Sequence, residues 1–390
     1  MWGLWLLTFG LPWVAMPGIE NPYLEPKALW LTAIGWGLVL WRLFRLPSAT
    51  LGWRNPWTVW LAGWVVGTSL WKFQWLFLHR APGQSRIVYN EYVWFACGSV
   101  LLAFLLVEAL SEAYLRSDGA AQRLTQWMVC SAMLAAGYGV CQSLGWDQWY
   151  ATNGVGNSTT LVWAGFGNPG YLALYLAMLL PLCLLFSSKR YLLYAALMLL
   201  TIFLTQARYA WGVAVVGVGS SLLARWWKRL PWWGQMGAAL SSSSLVVALA
   251  YVGYPILIAD ETRLPLWSKA LALLHPTYGI GAKNALSMTG YGLNALPILL
   301  GSSVQWAHNE WVQLVVEIGV IGTGLTALMV GWSVRDGWRA ATRSLLASGW
   351  FGVWMAFLAA SLVHFPGHLP PLAFVGLCAW AILARQPEGA

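Results

Sequence analysis

The sequence predicts an all-α, polytopic integral membrane protein of about twelve spans, and three observations carry that prediction. Apolar residues make up 59% of the 390-residue chain and charged residues only 9%, with a positive mean hydropathy, so the polar surface of a water-soluble globule is missing. Runs of about 20 apolar residues, enough to cross a hydrocarbon core roughly 30 Å thick, recur along the whole length. Lys and Arg collect after every second run, as they do in cytoplasmic loops.

The run from Met1 to Met16, centred near Leu6, has no basic stretch ahead of it and no small-residue cleavage site, so it reads as a retained first span. Further spans centre near Gly37, Gly63, Ala103, Leu134, Leu179, Met198, Val216, Val247, Val316, Phe357 and Leu377. Arg42, Arg45 and Arg54 follow the second span, Arg116 and Arg123 the fourth, and Lys189 and Arg190 the sixth. Arg225, Lys228 and Arg229 follow the eighth, Arg335, Arg339 and Arg343 the tenth, and Arg385 the last. Both termini are therefore expected in the cytoplasm, and topology accounts for the net charge of +9 without a nucleic-acid partner. The 30 Trp residues suit two interfacial belts. Cys97, Cys130, Cys141, Cys183 and Cys378 lie in apolar runs without CxxC spacing and read as buried thiols, not as disulfides or metal ligands. Residues 1–390 form one membrane domain on this reading, with N-terminal spans over 1–146 and a second region over 147–390 that contains a long external loop at 260–306.

Polar groups at membrane depth persist mainly where they do something, and here they gather on the external side. All five His residues (His79, His275, His308, His364, His368) map to external loops or external span ends. In the long loop, Arg263, Trp267, Ala270 and Leu274 recur at helical spacing, so Thr262 to Leu274 reads as a short interfacial helix. Gly279-Ile280-Gly281 and Gly290-Tyr291-Gly292 follow, either as amide-exposing turns or as a plain hinge-rich loop. The next span opens with Ala307-His308-Asn309-Glu310 and continues through Gln313, Glu317, Gly319 and Gly322. Glu310 and Glu317 are seven residues apart, hence on one face and about 10 Å apart along the axis. His308 beside Asn309 and Glu310 is a natural proton acceptor near neutral pH. Gly167-Asn168-Pro169-Gly170-Tyr171 opens the sixth span with a capping residue and Pro at the first helical position, which leaves a positive dipole end facing outward. Arg208, in the tight turn Thr205-Gln206-Ala207-Arg208-Tyr209, offers a bidentate phosphate fork, or else snorkels to headgroups.

Taken in order, Gly167-Asn168-Pro169, Arg208, the segment Arg263 to Leu271 with His275-Pro276 and Gly279-Ile280-Gly281, and Ala307-His308-Asn309-Glu310 with Glu317, Gly319 and Gly322 resemble the O-antigen ligase and polymerase superfamily, which includes bacterial protein O-oligosaccharyltransferases. The resemblance covers Gly167 to about Leu383. It departs near the end, where an acidic residue commonly precedes Phe-Pro or Tyr-Pro and this chain has His364-Phe365-Pro366-Gly367-His368. Pro366 and Gly367 interrupt the helix that would pair His364 with His368 on a metal.

The resemblance implies a GT-C-like, metal-independent, inverting glycosyltransferase without a cofactor, acting on the periplasmic face of a bacterial inner membrane. Its donor would be a glycan on undecaprenyl diphosphate. Arg208 and Arg263 would stabilise the leaving diphosphate, and His308 would take the acceptor proton with Glu310 or Asn309 positioning its ring. Asn168, Trp267, Tyr291 and Glu317 complete the expected substrate-binding set. The acceptor would be lipid A core for a ligase, a growing glycan for a polymerase, or a protein Ser for an oligosaccharyltransferase. The last class often carries a soluble C-terminal extension, so the few residues after Arg385 put the ligase first. A transporter or lipid-binding scaffold is the non-enzymatic alternative, although no internal repeat is visible and the polar groups lie on one face.

Overall fold

A computed structural model describes residues 1–16, 23–45, 59–67, 86–147, 162–186, 188–231, 263–272 and 307–385. The described residues are helical or join helices, and no strand occurs among them. In chain order the helices are α1 (Trp2–Gly10), α2 (Leu24–Arg45), helical residues 59–67, α3 (Arg86–Ala109) with a π-helical turn at Leu110–Tyr114, and α4 (Asp118–Ser143). They continue with α5 (Pro169–Cys183), α6 (Lys189–Leu204), α7 (Arg208–Trp226), α8 (Arg263–Ala272), α9 (Glu310–Ala341), α10 (Leu345–Val363) and α11 (Pro370–Ala384). The expected span centres fall in these helical residues, save Val247, which lies outside the described residues.

Among the described residues three helices, α4, α9 and α10, are long and apolar enough to cross a bilayer, so the protein is built for membrane association. Large apolar side chains face outward on several helices, among them Leu29 and Phe44 of α2, Leu192, Leu193 and Phe203 of α6, and Val320 and Leu328 of α9. The first helix is shorter than expected, nine residues or about 14 Å. Pro12 is the reason, because it has no N–H to give to the carbonyl of Thr8. Ser131 of α4 donates its hydroxyl to that carbonyl at 2.7 Å and accepts from the Tyr175 hydroxyl at 3.1 Å, so three elements share one repaired break.

Helices α5 and α10 form the centre. From Gly170 to Cys183 every residue of α5 except Tyr171 is buried. Helix α10 packs against α5, α7, α9 and α11. It meets α7 backbone to backbone: a Cβ on Gly352 would lie 2.5 Å from the Gly217 carbonyl oxygen and 2.8 Å from Pro181. Such small-residue crossings are how helices approach closely where lipid offers no hydrophobic contrast. The indole of Trp350 donates to Thr125 at 2.8 Å and ties α10 to α4 in the same region.

The two ends of the bundle differ in chemistry. At one end Arg42 is fully buried and paired with Glu112 at 2.6 Å, Arg385 pairs with Asp118, and Trp227 after α7 meets Trp338 near the end of α9. The starts of α5, α7 and α9 and the end of α10 gather at the opposite end.

Candidate functional site

The start of α5 is shaped by glycine. Gly167 has φ +73°, a left-handed conformation, and a Cβ there would run into the Tyr23 ring. Asn168 caps the helix by accepting from the Gly170 N–H at 2.7 Å, with Pro169 at the first helical position. The Tyr209 hydroxyl occupies the space a Cβ on Gly170 would need, so the start of α7 lies on the start of α5. Beneath them Lys27, buried, donates to the carbonyls of Val14 and of Gly165, the latter at 2.8 Å, with its ammonium 5.7 Å from the Tyr23 ring centre. Gln142 accepts from the N–H groups of Trp163 and Ala164 and pins the same loop.

The start of α9 is held by a relay of hydrogen bonds. Trp267 of α8 donates its indole N–H to the Ala307 carbonyl at 2.6 Å, the Ala307 N–H donates to Gln313 Oε1 at 3.1 Å, and Gln313 Nε2 donates to Glu317 Oε1 at 2.9 Å. Gln313 and Glu317 are both buried. Two residues beyond Glu317 the helix breaks at Gly319, whose φ 73° and ψ −179° suit glycine alone. The Ile318 carbonyl beside the break accepts from the Trp64 indole at 3.0 Å.

Between relay and cap sits His308 with φ +53°, a left-handed conformation that costs a non-glycine residue on the order of 1 kcal/mol or more and persists only where the surroundings over-determine it. Asn309 supplies much of that constraint. Its Oδ1 accepts from the N–H groups of Trp311 and Val312, and its Nδ2 donates to the Leu362 carbonyl at 2.8 Å. The Glu310 N–H donates to the His364 carbonyl at 3.1 Å, and Glu310 Oε1 lies 3.1 Å from His368 Nδ1. Gly367 makes room for this carboxylate, since a Cβ there would stand 2.8 Å from Oε1. Glu310 Oε2 is buried with no hydrogen-bond partner among the described residues.

His364 is the hub. Its ring centre lies 5.7 Å from that of His308, 5.3 Å from Tyr171 of α5 and 5.8 Å from Tyr209 of α7. Its Nδ1 accepts the Phe365 N–H at 3.0 Å, so the neutral ring carries its proton on Nε2. Burial lowers the pKa of His368, but the charge and hydrogen bond of Glu310 together with the charge of Glu317 outweigh it, and the net shift is upward from 6.5.

The segments that carry Arg208, His308 and Arg263 thus converge. Arg208 is the exposed first residue of α7, next to Tyr209. Arg263 begins α8 one turn before Trp267, and its side chain lies outside the described residues, as do His79, His275 and Tyr291. The short helix expected over Thr262 to Leu274 forms over Arg263–Ala272, with Ala270 buried on its inner face. Asn309 spends both ends of its amide on backbone and so holds His308 through the chain, not by a bond to the ring. Trp267 likewise gives its N–H to backbone. Sequence reasoning left His364, His368, Tyr171, Tyr209 and Lys27 out of the site. The signal for Lys27 was a basic residue on the side that topology leaves poor in them. For His364 it was the imidazole in place of the expected acid.

Chemically, the arrangement joins three helix N-termini, each a positive dipole end, to an exposed guanidinium, a strained imidazole and a carboxylate oxygen still able to accept. Among the described residues no group of three or more His, Cys, Asp or Glu is placed to hold a metal ion. No protein-family model matches the chain, and no curated protein matches it in sequence.

Proposed function

We propose that this protein is a polytopic glycosyltransferase of about twelve spans, with both termini cytoplasmic, that moves a glycan from undecaprenyl diphosphate to an acceptor hydroxyl on the outer face of a bacterial inner membrane. A lipopolysaccharide ligase with lipid A core as acceptor is the first assignment, and polymerase or protein O-oligosaccharyltransferase is the alternative within the same chemistry. The observation that carries the proposal is the meeting, at the end of the bundle opposite the Arg42 and Arg385 ion pairs, of the helix starts that bear Arg208 and His308 with the short helix that begins at Arg263.

The acceptor oxygen attacks the anomeric carbon as the bond from that carbon to the diphosphate oxygen breaks, and the electron pair leaves with the diphosphate. The hydroxyl proton passes to His308. Charge grows on the diphosphate in the transition state, so Arg208, Arg263 and the dipole ends of α5 and α7 are worth more there than in the ground state. One in-line displacement inverts the anomeric centre.

Mass analysis of the product formed by purified protein from an undecaprenyl diphosphate glycan and candidate acceptors tests both the reaction and the acceptor. Transfer to lipid A core supports the ligase, and absence of transfer to every acceptor removes the enzyme. A transporter is the second reading, favoured by the break at Gly319 beside the buried Glu317, since transporters place ionisable groups at interrupted helices. Uptake of labelled lipid-linked glycan into sealed proteoliposomes without product formation would decide for it.

A further inference from the structure

With His308 taken as the general base proposed above, we infer that His368 is a positioning residue for it, acting through the ion pair with Glu310 that clasps the 366–368 turn to the first turn of α9. Three attachments run from the end of α10 and this turn to the residues that follow His308: Asn309 Nδ2 to the Leu362 carbonyl and the Glu310 N–H to the His364 carbonyl from the helix end, and Glu310 Oε1 to His368 Nδ1 from the turn. The first two are uncharged and constant. The third depends on a proton, and Gly367 is the residue that lets the carboxylate approach.

Among the described residues, the charges that act on His368 are those of Glu310 and Glu317. Helices α10 and α11, which flank the turn, contain no Asp, Glu, Lys, Arg or His. Helix α9 presents Glu310 and Glu317, and the cluster adds His308 and His364 with Tyr171 from α5. Both acids favour the imidazolium form. Because the folded pKa is raised above the unfolded value of 6.5, the clasp is complete below about 6.5 and opens as pH rises through the folded pKa. Transfer therefore falls as pH rises and His368 loses its charge, so the alkaline limb of the pH profile belongs to a residue that never touches substrate.

The test uses full-length protein in lipid nanodiscs with isotope-labelled histidine. NMR titration is expected to show His368, identified by the signal lost in His368→Lys, with a midpoint above 6.5 that falls in Glu310→Gln. In transfer assays His368→Gln should lower kcat on the order of tenfold, as small misplacements of a reacting group do, with KM unchanged and the alkaline limb gone. His368→Lys should restore most of the rate and carry the alkaline limb to higher pH. A His368 midpoint unmoved by Glu310→Gln, or a wild-type rate and profile in His368→Gln, overturns the inference. If His368→Gln does not fold, the two titrations decide by themselves. Continued transfer by His308→Ala would instead remove the base assignment, and the titration would still report on the clasp.

Discussion

His308 combines the proposed role with a backbone conformation that opposes stability, and the two are separable by substitution. His308→Ala should abolish transfer in the purified assay while the protein stays folded. His308→Gly should be equally inactive yet more stable than His308→Ala by about 0.5 to 1 kcal/mol, because glycine takes positive φ without a Cβ penalty. Thermal unfolding of the two variants side by side checks this, and equal stability would mean the residue is not strained in solution. Gly367→Ala tests the neighbouring contact: its methyl group would press on Glu310 Oε1, displace the carboxylate from His368 and depress kcat as His368→Gln does. At this scale the sequence was informative where residues cluster along the chain. His308, Asn309 and Glu310 drew attention as adjacent polar residues at a span end. It was silent on Tyr171 and Tyr209, because an aromatic at an interface reads the same whether it faces lipid or a histidine.

Helix α9 is two segments with different duties. Its first segment, capped by Asn309 and ended at Gly319, holds Glu310, Gln313 and Glu317 inward, and its second runs on as a long apolar helix. Asn309→Ala removes the cap and leaves the Leu362 carbonyl without its donor, so a loss of about 2 kcal/mol is expected, above the ~1 kcal/mol typical of an N-cap alone. Asn309→Asp keeps the cap and loses only the bridge, and a full-sized loss in that variant would contradict the division of labour. Gly319→Ala forces a side chain into backbone space reserved for glycine and should cost about 1 to 3 kcal/mol in thermal unfolding. Unchanged stability would show that α9 is straight. Gly319 and Gly322 were visible in the sequence beyond Glu317, but whether a glycine bends a helix depends on what accepts or supplies the broken hydrogen bond. Here that partner is Trp64, 254 positions away.

At the scale of the whole molecule, the α7 to α10 crossing is where, among the described residues, an added side chain would meet another helix's backbone most closely. Gly352→Val would drive a side chain into the Gly217 carbonyl and Pro181, and loss of the folded protein from detergent extracts, read by size-exclusion chromatography, is the expected result. Orientation is a second property at this scale. In spheroplasts a membrane-impermeant maleimide should label Arg208→Cys directly and Arg343→Cys only after permeabilisation. The opposite pattern would turn the histidine end toward the cytosol and remove the donor lipid from its reach.

Composition, run length and the placement of Lys and Arg determined by themselves that the chain is helical, apolar on its outside and chemically different at its two ends. Those properties follow from the solvent, and every residue contributes to them independently of its distant neighbours. The tertiary structure alone decided that Ser131 takes up the carbonyl left open at the end of α1, that Lys27 underlies the start of α5, and that His364 joins four elements. Each of these depends on a contact between residues far apart in sequence, where the energy lies in one donor meeting one acceptor or one side chain filling one space, and no local pattern records which pair will meet.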